Sequence, residues 1–328
     1  MPLFDLPEAE LRTYRPDVRE PADFDEFWTA TLAESRATPM SVTRDPGPVE
    51  LAQVEIEDVT FPGYGGHPIR AWLARPRAVS GPLPAIVEIN GYGGGRGLAI
   101  ERTFWAAAGY VHLYIDSRGQ GATWGNGGAT PDPVGSPPAA PGVMTRGIES
   151  REDYYYRRMF TDAVRGVDAA RSLPEVDAER VLFLGGSQGG GVALAVAGLV
   201  ADLAGVVAEV PFLCHFERAL DISGEFPYGE VVQYLKVTRA DRDQVLDTLS
   251  YFDGVNHAKR ARAPYLSSVA LMDQVCPPST GFAAFNWYGD RAATPPAKHL
   301  EVYRYNGHEG GQAHQQMREL EFVRAVTA

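Results

Sequence analysis

Val181-Leu182-Phe183-Leu184-Gly185-Gly186-Ser187-Gln188-Gly189-Gly190-Gly191-Val192-Ala193-Leu194-Ala195 is the stretch on which the reading of this chain turns. Residues 181–184 form a short apolar run of strand length, and residues 192–200 an apolar run suited to a buried helix. Between them, Gly185-Gly186-Ser187-Gln188-Gly189 matches G-x-S-x-G at a strand-to-helix turn, the setting of a nucleophile elbow. Small residues are needed there because backbone approaches backbone closely. The positive end of the following helix favours negative charge developing beside the serine. The same glycines invite a phosphate-binding reading, but a P-loop needs Gly-Lys-Ser/Thr and no lysine is present. A dinucleotide fingerprint wants an acidic residue about 20 positions on. Asp202 comes near that spacing, yet the serine and the late position in the chain fit it poorly.

Working outward, short apolar runs alternate with amphipathic segments from Pro84 onward, the signature of βαβ units and a largely parallel sheet. The spacing predicts strands at 85–89, 111–115, 181–184, 205–210, 265–271 and 300–305. It predicts helices at 98–108, along the face marked by Tyr156, Met159, Phe160, Ala163, Val164, Val167 and Ala170, near 280–288, and from about 313. Residues 49–75 read as paired strands around Gly63-Tyr64-Gly65-Gly66. Residues 130–147 read as a long Pro/Gly-rich loop. The predicted class is α/β, an α/β-hydrolase fold over 1–328 as one domain, with a mostly parallel central sheet flanked by helices. Residues 1–40 form an N-terminal arm. There Asp23 and Glu26 suggest a capping box, and Phe24, Phe27, Trp28 and Leu32 share a helical face that must bury against the chain's own core or a second subunit. Residues 212–262 interrupt the rhythm with helical patterns at 216–222, 230–238 and 242–252, as expected of a cap inserted over a site.

A serine hydroxyl needs a base, usually a histidine oriented by a carboxylate. In this fold the chain order is Ser, Asp or Glu, then His, with each residue in a loop at the carboxyl end of a strand. Asp273 follows the strand 265–271, in a loop forced by Pro277 and Pro278. His308 follows the strand 300–305 within Gly307-His308-Glu309-Gly310, whereas His299 opens a strand and His314 lies near a helix start. The candidate triad is therefore Ser187, Asp273 and His308. Oxyanion donors are expected from the backbone N–H of Gln188 and, in Asn90-Gly91-Tyr92-Gly93-Gly94-Gly95 after the strand 85–89, from the N–H of Tyr92. Arg118-Gly119-Gln120 follows the strand 111–115. Its arginine could hold a substrate carboxylate, but a role tying loops together is favoured.

The chain has 328 residues, 45% of them hydrophobic and 22% charged, enough apolar material for a large core. The net charge of −12 disfavours nucleic-acid binding. Cys214 and Cys276 are read as free buried thiols. No apolar run approaches a membrane span, and the N-terminus lacks a basic segment followed by an apolar run, so a cytoplasmic location is expected. His308-Glu309 is not H-E-x-x-H, and Cys214-His215 with Cys276 has no zinc spacing, so neither a metal nor any other cofactor is expected.

Arg118-Gly119-Gln120, Gly185-Gly186-Ser187-Gln188-Gly189, Leu271-Met272-Asp273 with Cys276-Pro277-Pro278-Ser279-Thr280, His308-Glu309, Tyr154-Tyr155-Tyr156-Arg157-Arg158 and Pro211-Phe212-Leu213-Cys214-His215-Phe216 occur together. In this number and order they resemble carbohydrate esterase family seven, the acetyl xylan esterases and cephalosporin C deacetylases. The resemblance covers nearly the whole chain. It implies deacetylation of short acetylated xylo-oligosaccharides and of cephalosporins by a triad that maps onto Ser187, His308 and Asp273. It implies an acyl pocket small enough to favour acetyl, a cytoplasmic homohexamer with sites facing an internal cavity, and peracid formation from esters and peroxide. Asn90 stands where several esterases carry histidine. Two other readings are a peptidase of the prolyl-oligopeptidase type, although no propeller region is present, and a non-catalytic binding protein on the same fold.

Overall fold

The alternating apolar runs fold into a nine-stranded sheet, described for residues 3–328 by a computed structural model. Its strands are β1 (Thr43–Pro46), β2 (Val54–Pro62), β3 (Pro68–Pro76), β4 (Leu83–Ile89), β5 (Val111–Ile115), β6 (Val176–Gly186), β7 (Gly205–Glu209), β8 (Tyr265–Ala270) and β9 (Lys298–Tyr303). Their order across the sheet is β1-β2-β3-β5-β4-β6-β7-β8-β9. β1, β2, β3 and β5 pair antiparallel in turn, and every pairing from β5 through β4 to β9 is parallel. Every residue of β5 and β8 is buried, as expected of parallel strands covered on both faces. In β2, by contrast, buried Val54, Ile56, Val59 and Phe61 are interspersed with half-buried polar residues.

The helices are α1 (Glu8–Leu11), α2 (Phe24–Arg36), α3 (Phe104–Ala107), α4 (Tyr155–Arg171), α5 (Gln188–Leu199), α6 (Phe216–Ile222), α7 (Tyr228–Thr238), α8 (Arg242–Ser250), α9 (Gly254–Arg260), α10 (Pro278–Trp287) and α11 (Gln312–Thr327). α4 and α5 carry the core. α4 buries Tyr155, Tyr156, Met159, Phe160, Val164 and Val167, each large side chain contributing ~2 kcal/mol by leaving water. The N-terminal arm buries against this chain itself. The Trp28 indole N–H donates to the Tyr251 carbonyl at 2.9 Å, and its ring stacks on Phe160.

Three local expectations are revised. Asp23 does not cap α2; its carboxylate is taken by the Arg151 guanidinium at 2.6 Å and the Tyr251 hydroxyl at 2.5 Å. The single helix expected over 98–108 is a 3-10 turn, Ala99–Arg102, followed by the short α3. Leu98 and Ile100 are exposed and offer no buried face, while the Glu101 carboxylate accepts from the Leu98 N–H at 2.7 Å and closes the tighter turn. The helix expected over 242–252 stops at Ser250, because Asp253 starts α9 by accepting the Val255 N–H at 2.9 Å. α9 packs on α5 so closely that a Cβ at Gly198 would lie 2.5 Å from the His257 carbonyl oxygen.

His257 on α9 is fully buried among Phe24, Trp28 and Phe160, and among the described residues neither ring nitrogen finds a hydrogen-bond partner. Burial pushes its pKa down to about 3. The unfolded chain takes up this proton near pH ~6.5 and the folded chain does not, so stability falls as pH drops from ~6.5 towards 3. His257→Phe should flatten the loss of melting temperature across that window, read by thermal unfolding at a series of pH values. An unchanged slope would show that other groups carry the acid sensitivity.

Candidate active site

β6 ends at Gly186 and α5 begins at Gln188, so Ser187 alone makes the turn, at φ 55° and ψ −116°. A non-glycine residue held there costs ~1–3 kcal/mol and persists only where its surroundings fix it. They do. The Ser187 N–H donates to the Glu209 carbonyl at 2.9 Å, and the Ser187 carbonyl accepts from Gly191 at 3.0 Å and Phe212 at 2.9 Å. Glycine is required at 189, where a Cβ would meet the Ile89 carbonyl oxygen at 2.4 Å.

Asp273 sits just past β8 and is fully buried. One carboxylate oxygen accepts the N–H groups of Val275 and Cys276, both at 2.9 Å, and the other faces His308 Nδ1 at 2.8 Å. His308 follows β9 in a loop shaped by the Glu309 carboxylate, which accepts from Gly307 N–H and the Asn306 amide, each at 3.0 Å. His308 Nε2 lies 2.9 Å from Ser187 Oγ. The structure therefore brings Ser187, His308 and Asp273 into one hydrogen-bonded chain, the geometry in which imidazole can take the serine proton while the carboxylate fixes its tautomer.

Gln188 opens α5, so its N–H lies among the first-turn donors that have no intrahelical acceptor. Gly91 brings the Tyr92 loop against the nucleophile, a Cβ there lying 3.8 Å from Ser187 Cβ. Asn90 holds this loop. Its amide donates to the carbonyls of Gly91 at 2.9 Å and Gly94 at 2.8 Å. Arg118, fully buried, forks onto Asp162 at 2.5 and 2.7 Å and reaches Asp132 at 3.4 Å. It does not line the pocket; it ties loops together through a buried ion pair, with the left-handed Gly119 beside Asp132.

Gln120 does something the sequence did not reveal. Its carbonyl oxygen accepts from Gly93 N–H at 2.7 Å, and its amide donates to Gln188 Oε1 at 3.0 Å and to the Tyr155 hydroxyl at 2.8 Å. Tyr156 also donates to Gln188 Oε1, at 2.9 Å. One side chain thus links the two loops that carry the candidate oxyanion donors. Gln120→Ala should lower kcat on the order of 10² with little change in KM, because a small misplacement of the donors acts on the transition state. Steady-state kinetics with a soluble acetate ester checks this, and a KM effect alone would count against it.

Ser187 and His308 open into a cavity of about 810 Å³. Tyr92, Trp124, Phe226, Pro227 and Glu230 form part of its wall, so the start of α7, within residues 212–262, reaches the site. The Glu230 carboxylate accepts from the Tyr92 hydroxyl at 2.6 Å and the Met144 N–H at 3.1 Å, and burial pushes its pKa up to about 7. Glycine at 142 permits this approach, since a Cβ would lie 2.2 Å from the carboxylate. Nothing in the local sequence signals Glu230, because its partners are 138 and 86 residues away.

Cys214 and Cys276 are free and buried. Asp273, Cys276 and His308 place donor atoms within 4.8 Å of one another. Two of the three are engaged in the Ser187 chain, and burial raises the Cys276 thiol, which opposes the thiolate a metal would need. Among the described residues no helix is long and apolar enough to cross a membrane.

The family model described as acetyl xylan esterase (AXE1) matches residues 1–326. Among solved structures, an acetyl xylan esterase from Paenibacillus sp. R4 is 37% identical with a TM-score of 0.90, covering 98% of this chain and 99% of its own. Acetyl xylan esterase 1 from Thermoanaerobacterium sp. JW/SL YS485 is 32% identical with a TM-score of 0.89, covering 99% and 100%. Acetyl esterase Axe7A of Xylanibacter ruminicola is 29% identical over 286 residues, 83% of this chain, which spans 61% of that relative's length.

Proposed function

The chain belongs to the acetyl xylan esterase family, and on that footing we propose that it removes acetyl groups from small acetylated sugars, xylo-oligosaccharides first, through an acyl-enzyme on Ser187. The observation that carries this reading is the chain Ser187–His308–Asp273 at 2.9 and 2.8 Å, opening into a cavity. His308 Nε2 takes the Ser187 proton as Oγ attacks the acetyl carbonyl. The developing oxyanion is met by the N–H groups of Gln188 and Tyr92, in a setting where such donors are worth several kcal/mol. Asp273 stabilises the imidazolium, which then protonates the sugar oxygen as its bond to the acyl carbon breaks, releasing the sugar as an alcohol and leaving acetyl on Ser187 Oγ. Water activated by the same imidazole releases acetate. No cofactor enters this chemistry.

Cephalosporin C, whose 3′-acetate is a small acyl ester, is proposed as a second substrate, and peracid formation as water's replacement by peroxide at the deacylation step. A cytoplasmic homohexamer is proposed on the family likeness. Light scattering giving a monomer at micromolar concentration would remove the hexamer.

The test is acyl length and leaving group together. Hydrolysis of 4-nitrophenyl acetate should exceed that of the octanoate by about 10²-fold or more in kcat/KM, as expected if the acyl side of the site is as small as the family likeness implies. Acetylated xylo-oligosaccharides should lead a panel that includes cephalosporin C. Cleavage of aminoacyl amides without acetate hydrolysis would instead favour the peptidase reading.

A further inference from the structure

Tyr92 carries a candidate oxyanion donor on its backbone, and its side chain is fastened by a residue of α7. The phenol oxygen donates to Glu230 Oε1 and accepts from the Val143 N–H, both at 2.6 Å. The other Glu230 oxygen accepts from the Met144 N–H at 3.1 Å. The Tyr92 ring lies T-shaped against Phe212, whose N–H holds the Ser187 carbonyl. The Tyr92 carbonyl is taken by the Trp124 indole N–H at 2.6 Å, while among the described residues its own N–H has no protein acceptor. A donor left free in a loop that approaches the nucleophile is what a developing oxyanion needs. A rigid ring anchored at its tip limits how far the backbone at its base can turn. We propose that the Glu230 carboxylate is a positioning residue for acyl transfer, anchoring the Tyr92 hydroxyl and so setting where the Tyr92 N–H meets the oxyanion. The proposal rests on the esterase reading above and assigns a further residue to that same site.

The fold makes room for this contact. A Cβ at Gly142 would lie 2.2 Å from Glu230 Oε1 and 2.4 Å from the Tyr92 hydroxyl. Glu230 is buried in the first turn of α7, where the helix end favours negative charge, and it lines the cavity, through which protons can reach it. Burial pushes its pKa up to about 7, against the pull of Tyr92, the Met144 N–H and the Arg146 guanidinium. Arg146 is itself held on the Gly142 carbonyl at 2.8 Å. The phenols facing Glu230 are Tyr92 and, at the start of α4, Tyr154 and Tyr156; burial raises all three well above the ordinary tyrosine range, so they stay neutral. The carboxylate offers an acceptor to Tyr92 and another to Met144. Once protonated it offers one acceptor and one donor, and one of the two loses its partner.

Glu230→Gln reproduces the hydrogen-bonding pattern of protonated Glu230 in nearly the same shape, and it cannot ionise. The experiment compares it with the parent on 4-nitrophenyl acetate from about pH 5 to about pH 9, the uncatalysed rate subtracted. Loss of the base by protonation of the imidazole is common to both proteins and cancels in their ratio. The parent-to-variant ratio of kcat/KM should rise from near unity at the acid end to roughly tenfold at the alkaline end. Its midpoint should lie near 7, where Glu230 ionises. At the alkaline end the loss should fall on kcat with KM little changed, as for an interaction that matters in the transition state. Tyr92→Phe removes the same bond from its other end and should lose about as much, with the double variant losing little more. A ratio independent of pH, or a loss confined to KM, overturns the proposal, and an active parent leaves the esterase reading standing. Should Glu230→Gln fail to fold, Tyr92→Phe decides, and a kcat within about twofold of the parent overturns the proposal. A parent that does not cleave the ester at all overturns both.

Discussion

Ser187→Ala should remove at least ~10³-fold of kcat on 4-nitrophenyl acetate and abolish labelling by a fluorophosphonate probe. Oγ is the atom 2.9 Å from His308 Nε2, and among the described residues no other hydroxyl or thiol is hydrogen-bonded to that nitrogen. The turn that presents it is held by backbone contacts to Glu209, Gly191 and Phe212, none of which uses the side chain. The variant should therefore fold, and its melting temperature should stay close to that of the parent. What activity remains would come from the donors at Gln188 and Tyr92 and from binding. Full activity in a folded Ser187→Ala protein would remove the nucleophile assignment.

Asp273→Asn should cost on the order of 10⁴ in kcat, for a reason visible in how Asp273 is held. One of its oxygens is pinned by the N–H groups of Val275 and Cys276. An asparagine must turn its carbonyl oxygen to those donors, because its NH₂ cannot accept them. The NH₂ then faces His308 Nδ1 and donates to it. That fixes the tautomer with its proton on Nε2, the nitrogen facing Ser187 Oγ. The imidazole can no longer take the serine proton. Because the hydrogen bonds are all kept, the fold should be unaffected, and the loss should fall on kcat more than on KM. A variant within tenfold of the parent would show that the carboxylate's orientation is not what sets the base.

How much of this was legible beforehand follows from the range of the interactions. Ser187, Asp273 and His308 could be named because each declares itself locally: a glycine-flanked serine between an apolar strand and an apolar helix, an acid before two prolines, a histidine among glycines after a strand. Chain order did the rest. The parallel core was legible for the same reason, since strands buried on both faces read as continuous apolar runs. β1 was not, being a short exposed edge that carries Thr43, Arg44 and Asp45. The break within 98–108 hinged on which way Leu98 and Ile100 face, and composition does not fix that. Gln120 was noticed as part of a motif, but its work depends on Gln188, 68 residues away.

That last connection bears on how the family can vary. Gly93, Gln120, Tyr155, Tyr156 and Gln188 meet around two amide side chains with their donors and acceptors matched. Each amide both gives and takes hydrogen bonds in one plane, so a lone replacement of Gln120, Tyr155, Tyr156 or Gln188 by a side chain without the matching group leaves a partner unmatched. Substitutions here should be inherited in sets, one position constraining another across the chain. The spacing of the two candidate oxyanion donors is in that sense a property of the cluster, and no single residue owns it.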